Sequence, residues 1–123
     1  MVIKTKEIFN GEANAVSYTI HKEEIGRIGL TVESDYFQIK YFMVKEKKRN
    51  TGVGRKLLEK MIKEVKKPKG TKIIVFPNSE PYEGDKPIKP EKLYKIYEHL
   101  GFDLENKKAD LKKPNNKMIM ILR

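Results

Sequence analysis

The chain is 123 residues long, 38% hydrophobic and 36% charged, and its 27 Lys+Arg against 17 Asp+Glu leave a formal charge of +10. That length closes one apolar core, so a single domain over residues 1–123 is expected, and with no cysteine in the sequence disulfide staples and thiolate metal sites are excluded. The composition suits the cytoplasm. The apolar runs 73–76 and 118–122 fall far short of the ~20 residues of a membrane span, and the N-terminus lacks the apolar stretch of a signal peptide.

Residues 2–9 mix apolar and charged side chains as a strand does, and Asn10-Gly11-Glu12 supplies a turn. Val16, Tyr18 and Ile20, then Ile28, Leu30 and Val32 after a Lys22-Glu23-Glu24 turn, alternate with polar or small residues, which predicts half-buried antiparallel strands in a meander. Tyr36 to Val44 is apolar or aromatic apart from Gln38 and Lys40, and reads as a central strand covered on both faces. The period then changes. Val53, Leu57, Leu58, Met61, Ile62 and Val65 form one helical stripe, which residues 66–70 end with Pro68. A short buried strand at 73–76 leads into a polar loop at 77–89, long enough to suggest a role. A second helix starts near Pro90, turns Leu93, Ile96, Tyr97 and Leu100 inward and is capped by Gly101. Strands at 102–105 and 117–122 complete the sheet, and no repeat or linker interrupts the chain.

Charge is concentrated. Residues 45–72 hold 12 Lys+Arg and 3 Asp+Glu, a net +9, so the rest of the chain contributes only +1. Inside that segment lies strand, glycine loop, helix: Phe42-Met43-Val44, then Arg49-Asn50-Thr51-Gly52-Val53-Gly54, then Arg55 opening the stripe. A helix N-terminus offers unpaired N–H groups and positive potential, and glycines let backbone close around a diphosphate. A P-loop fails here, because Gly54 is followed by Arg55-Lys56-Leu57, and the dinucleotide fingerprint fails at Leu57, where it needs a third glycine.

Arg49-x-x-Gly52-x-Gly54 after a strand ending at Val44 resembles the R/Q-x-x-G-x-G/A signature of the GCN5-related N-acetyltransferases (GNAT). Tyr97-Glu98-His99-Leu100-Gly101-Phe102 resembles that family's second signature, in the same order along the chain. The resemblance implies an α/β (α+β) fold with a central mixed, mostly antiparallel sheet and two main helices. It also implies transfer of an acetyl group from acetyl-coenzyme A, as cosubstrate and without a metal, to an amine-bearing small molecule, peptide or protein. On it, backbone groups of Phe42, Met43 and Val44 pair with the pantetheine arm, while Arg49 and the N–H groups of Asn50, Thr51, Gly52, Val53, Gly54 and Arg55 hold the pyrophosphate. Tyr97 protonates the departing thiolate, and a backbone N–H near the end of the 36–44 strand stabilises the oxyanion.

The sequence departs from that pattern at definite places. Gln38 stands where many members carry a catalytic glutamate, the 73–76 strand offers no titratable group, and Pro90 replaces the asparagine that often holds pantetheine. The general base is left among Glu80, Glu83, Asp85 and relayed water. Only four to six residues separate Phe9 from Val16, so the family's usual first helix pair is reduced or missing. A bulky acceptor docking on an open groove, a second subunit in a homodimer, or the 77–89 loop would take its place. His21 and His99 are too isolated to form a metal pair. Two other functions compete: a coenzyme A-binding fold without turnover, and a non-catalytic nucleic-acid module. The second would use the basic segment with Tyr36, Phe37, Tyr41 and Phe42 around Lys40 on an exposed sheet face.

Overall fold

The computed structural model describes residues 1–7, 11–65 and 68–123. Ile8, Phe9 and Asn10 of the predicted first strand and turn lie outside the described residues, as do Lys66 and Lys67 at the predicted helix end. Among the described residues the strands and α-helices are, in order, β1 (Val2–Glu7), β2 (Glu12–Tyr18), β3 (Glu24–Val32), β4 (Tyr36–Val44), α1 (Val53–Val65), β5 (Lys72–Val75), α2 (Pro90–Leu100), β6 (Asp103–Leu104) and β7 (Met118–Ile121). The strands form one seven-stranded sheet in the order β1-β2-β3-β4-β5-β7-β6. Every neighbouring pair is antiparallel except β4 with β5. A parallel pair needs a crossover, which α1 supplies. Only four positions separate β1 from β2, too few for a helix pair. This is the mixed, mostly antiparallel sheet with two helices that the resemblance implies.

The turn between β2 and β3 falls earlier than expected. The Thr19 N–H donates to Glu23 O, Lys22 adopts a positive φ, and Ile20 is left 74% exposed rather than extending the strand.

The stripe of α1 explains the core. Val53, Leu57, Leu58 and Met61 are buried against Ala15, Ile28, Leu30, Phe37 and Ile39 of the sheet, and α1 touches β1 through β4. Phe42 lies beside Gly54 of α1, where an added Cβ would sit 3.5 Å from its ring, and meets Tyr97 of α2 edge-on with centroids 6.1 Å apart. Both helices therefore cover the same face. The prediction that β4 is covered on both faces is corrected here: on the opposite face Tyr41 lies over Gly29, where a Cβ would come within 2.3 Å of the ring, and no helix packs there among the described residues.

The apolar run has another cause. Gly29 pairs with Tyr41 but Leu30 with Ile39, so Lys40 is an extra residue in β4. The bulge shifts the alternation, and Phe37 and Ile39 before it and Phe42 and Val44 after it all join the core or pack on its edge.

α2 begins with Pro90 in its first turn and ends on Gly101 at φ 109°, whose N–H donates to Glu98 O. Tyr94, absent from the predicted inward stripe, is 1% exposed. Its hydroxyl donates to Lys113 O and accepts from the Asn116 amide nitrogens, which fastens the lysine-rich segment before β7 onto the helix.

Candidate active site

β4 and β5 pair over three residues only, Tyr36 with Lys72, Phe37 with Ile73 and Gln38 with Ile74. Beyond Gln38 the strands part. The edge of β4 at Phe42, Met43 and Val44 bonds β3 on one side and has no strand on the other among the described residues. This is the carboxyl end of a parallel pair, where α/β folds place ligands. A cleft of about 320 Å³ opens there, within the size range of small-molecule sites.

Ten of the eleven residues singled out from the sequence line this cleft: Phe42, Met43, Val44, Arg49, Asn50, Gly52, Val53, Gly54, Arg55 and Tyr97. Thr51 does not. It is exposed, and its hydroxyl donates to Lys48 O at 2.5 Å. The loop takes its shape from two left-handed residues, Asn50 at φ 65° and Gly52 at φ 87°. Gly52 O accepts the Lys56 N–H at 3.1 Å, so the amides of Val53, Gly54 and Arg55 open α1 without an intrahelical acceptor.

Two guanidinium groups stand beside those amides. Arg55 Nη2 donates to His99 O at 2.6 Å, tying the first turn of α1 to the last turn of α2, where cations are favoured. Arg49 Nε is buried with no partner. Elsewhere the basic segment is partly neutralised from outside: Lys45 and Lys47 lie 3.7 Å and 2.5 Å from Glu23.

Tyr97 is 6% exposed, its ring held at right angles to Phe102 with centroids 5.5 Å apart. Its hydroxyl makes no hydrogen bond among the described residues. Burial pushes the phenol well above its usual range, and the charge of Glu80 adds to this. The phenol is therefore neutral at every physiological pH.

The cleft also gathers residues the sequence reading left elsewhere. Ile96, Leu93 and Leu100 of the α2 stripe line it together with the exposed His99, and Asn78, Ser79, Glu80, Pro81 and Ile88 of the 77–89 loop close its far wall. Of the three loop carboxylates, Glu80 lines the cleft, Glu83 does not, and Asp85 Oδ2 accepts the Glu46 N–H at 2.8 Å. The aromatic face required by a nucleic-acid module is not formed. Phe37 is fully buried, Phe42 faces the helices, and only Tyr36 and Tyr41 turn the other way. Among the described residues no cluster of three or more His, Cys, Asp or Glu could hold a metal, and no helix is long and apolar enough to cross a membrane.

Residues 12–104 match the Acetyltransferase (GNAT) domain family. The chain belongs to the GNAT acetyltransferase family. Solved GNAT structures share the fold at low identity. An aminoglycoside 6'-N-acetyltransferase complexed with coenzyme A superposes with a TM-score of 0.67 at 18% identity, over 92% of this chain and 74% of that one. Tetrahymena GCN5 gives 0.66 at 12% identity, over 92% and 69%. The Vibrio cholerae spermidine N-acetyltransferase SpeG, as its F149A mutant, gives 0.62 at 16% identity, over 92% and 67%. No curated protein matches this GNAT sequence.

Proposed function

We propose that this GNAT chain is an N-acetyltransferase that moves the acetyl group of acetyl-coenzyme A to a primary amine by direct attack. The observation that carries this reading is the meeting, in one cleft, of an unpaired β4 edge, the glycine loop at the start of α1 and the Tyr97 phenol. Each feature fits one part of acetyl-coenzyme A. The open backbone at Phe42, Met43 and Val44 suits the amides of a pantetheine arm, as an added strand would. The first-turn amides of α1 suit the pyrophosphate. An anion there would also give Arg49 Nε the partner that it lacks inside the protein.

The substrate brings an activated thioester; the chain positions it and moves protons. Tyr97, neutral and without a competing partner, can donate its proton to the departing sulfur, whose thiol has a pKa of ~8.5. That hydrogen bond strengthens as negative charge builds on sulfur, so it favours the transition state over the ground state. The acceptor is read as an amine because the superposed enzymes include an aminoglycoside and a spermidine N-acetyltransferase.

Calorimetry with acetyl-coenzyme A, followed by a thiol-release assay over polyamines, aminoglycosides, amino acids and lysine peptides, tests this reading. Micromolar binding with release on at least one amine is expected. Heat without release on any amine would mark a coenzyme-binding fold that does not turn over. Salt-sensitive binding to single-stranded nucleic acid, with no heat from the coenzyme, would replace the proposal.

A further inference from the structure

A protonated alkyl amine cannot attack a thioester until it loses a proton, and this chain has Gln38 on β4 and only apolar residues along Ile73, Ile74, Val75 and Phe76. The cleft supplies one alternative. Among its lining residues Glu80 is the sole carboxylate, on the wall that follows β5, whereas Lys48, Arg49 and Arg55 line the wall that follows β4. The cleft is thus polarised, with its cations beside the glycine loop and a single anion across from them.

The segment that carries Glu80 has no regular secondary structure, yet it is fastened on both sides. Pro77 is fully buried and its carbonyl accepts the Asn115 N–H at 2.8 Å. Ser79 Oγ accepts the Ile88 N–H at 2.9 Å and closes the neck of the loop. Further on, the Tyr82 hydroxyl donates to Glu24 Oε2 at 2.7 Å, and Glu46 Oε1 accepts the Lys86 N–H at 3.1 Å. Asp85 is committed to the Glu46 amide, and Glu83 is exposed away from the cleft. Glu80 makes no hydrogen bond or ion pair among the described residues. An unpaired carboxylate on a fastened loop, facing a cleft, suits a cation. It also repels any acceptor that carries its own carboxylate next to the amine.

We propose that Glu80 binds the acceptor's ammonium group and takes one of its protons, so that the preferred acceptors are alkyl ammonium ions without a neighbouring carboxylate. The inference rests on the acetyltransferase reading above. In the step, Glu80 removes one proton from the ammonium and passes it to solvent, to which it is open. The freed nitrogen lone pair forms the C–N bond at the thioester carbon as the C–S bond breaks, sulfur leaves with that electron pair and takes the Tyr97 proton, and the second amine proton returns to the phenolate. One amide, one thiol and one released proton result.

The test compares wild type, Glu80→Gln, Glu80→Asp and Glu83→Gln on two probes, 1,4-diaminobutane with amine pKa near ~10 and a peptide amide whose α-amine has pKa ~8. With the diamine at pH 7.5, Glu80→Gln should lose ~100-fold in kcat/KM, within the range of general-base effects. Its remaining activity should rise with pH toward the amine pKa. With the peptide amide at pH 9, where the amine is already neutral, the loss should fall below ~5-fold. Glu80→Asp should recover part of the activity, Glu83→Gln should match wild type, and coenzyme affinity should stay within about twofold throughout. Equal losses on both probes, or none, would overturn the role of Glu80. Wild type that binds acetyl-coenzyme A but acetylates neither probe would overturn the acceptor class. Wild type that does not bind it overturns the parent reading instead.

Discussion

Tyr97→Phe separates packing from chemistry at the residue on which the proposed reaction depends. The ring is 6% exposed and wedged between Phe42 and Phe102 at centroid distances of 6.1 Å and 5.5 Å, and phenylalanine keeps both contacts. The hydroxyl has no hydrogen-bond partner among the described residues, so its removal strands no buried donor and should change stability by less than ~0.5 kcal/mol. The Tm should therefore move by no more than ~2 °C. Alanine would instead remove a buried aromatic ring at a cost of ~3–5 kcal/mol and confuse the two effects. If the phenol protonates the leaving thiolate, Tyr97→Phe should lower kcat ~100-fold, equivalent to ~2.7 kcal/mol of barrier, with coenzyme affinity nearly unchanged. Burial keeps the phenol protonated far into the alkaline range, so the deficit should be constant from pH 7 to about 9.5. Thiol release at saturating amine, calorimetry and a thermal melt read the three quantities. Unchanged kcat would return Tyr97 to the core alone, and a large fall in Tm would show that the hydroxyl has structural work the geometry does not reveal.

The two glycines of the loop should respond in opposite directions. Gly52 sits at φ 87° with open space around it, so Gly52→Val should cost ~1–2 kcal/mol of stability from left-handed strain but weaken coenzyme binding at least ~30-fold; equal losses by melting and calorimetry would make the loop merely structural. At Gly54 an added Cβ makes only ordinary contacts of 3.5–3.7 Å with Phe42 and Val44. Gly54→Ala should raise stability by ~0.5–1 kcal/mol through helix propensity and retain binding, and a lower Tm would refute the packing argument. Glu24 supplies a pH test. Its carboxyl is held below the ordinary value of 4.5 by hydrogen bonds from Arg27, helped by Tyr82 and opposed by desolvation. A lowered folded pKa means stability that is complete above the unfolded pKa and is lost as pH falls through the folded one. Glu24→Gln should flatten the fall in Tm below about pH 5, and an unchanged acid limb would show that solvent screens the pair.

What could be read from the sequence was whatever is written locally. The stripe Val53, Leu57, Leu58, Met61 and the Pro90 and Gly101 boundaries of α2 follow from helical period and capping chemistry. The loop Arg49 to Gly54 is legible as a strand–glycine–helix junction, and the structure sets it on the wall of the cleft. Lys40 hid a bulge inside an apolar run, since a shift from odd to even positions and a strand buried on both sides leave the same run of letters. Tyr94 shares the helical spacing of Leu93 and Tyr97, and what the sequence does not show is the partner of its hydroxyl, 19 residues away. The position of Glu80 depends on Tyr82 finding Glu24 across 58 residues and Asp85 finding Glu46 across 39. Such pairings carry no local spacing, so carboxylates five residues apart in one loop look alike until the fold assigns them separate partners.

The extra residue at Lys40 makes β4 two rulers laid end to end, one residue out of phase. The first, Tyr36 to Gln38, keeps step with β5; the second, Tyr41 to Val44, keeps step with β3 alone. A bulge bends and overtwists its strand, and the bend falls between the two. Deleting Lys40 would restore a single alternation with Phe37, Ile39, Phe42 and Val44 still on the core face, and would remove the bend. A straightened β4 could also run on beside β5 and close the gap in the sheet. The cleft beside β4 thus opens where one inserted amino acid breaks the step between the strands, a count along the backbone made before any side chain in the cleft is chosen.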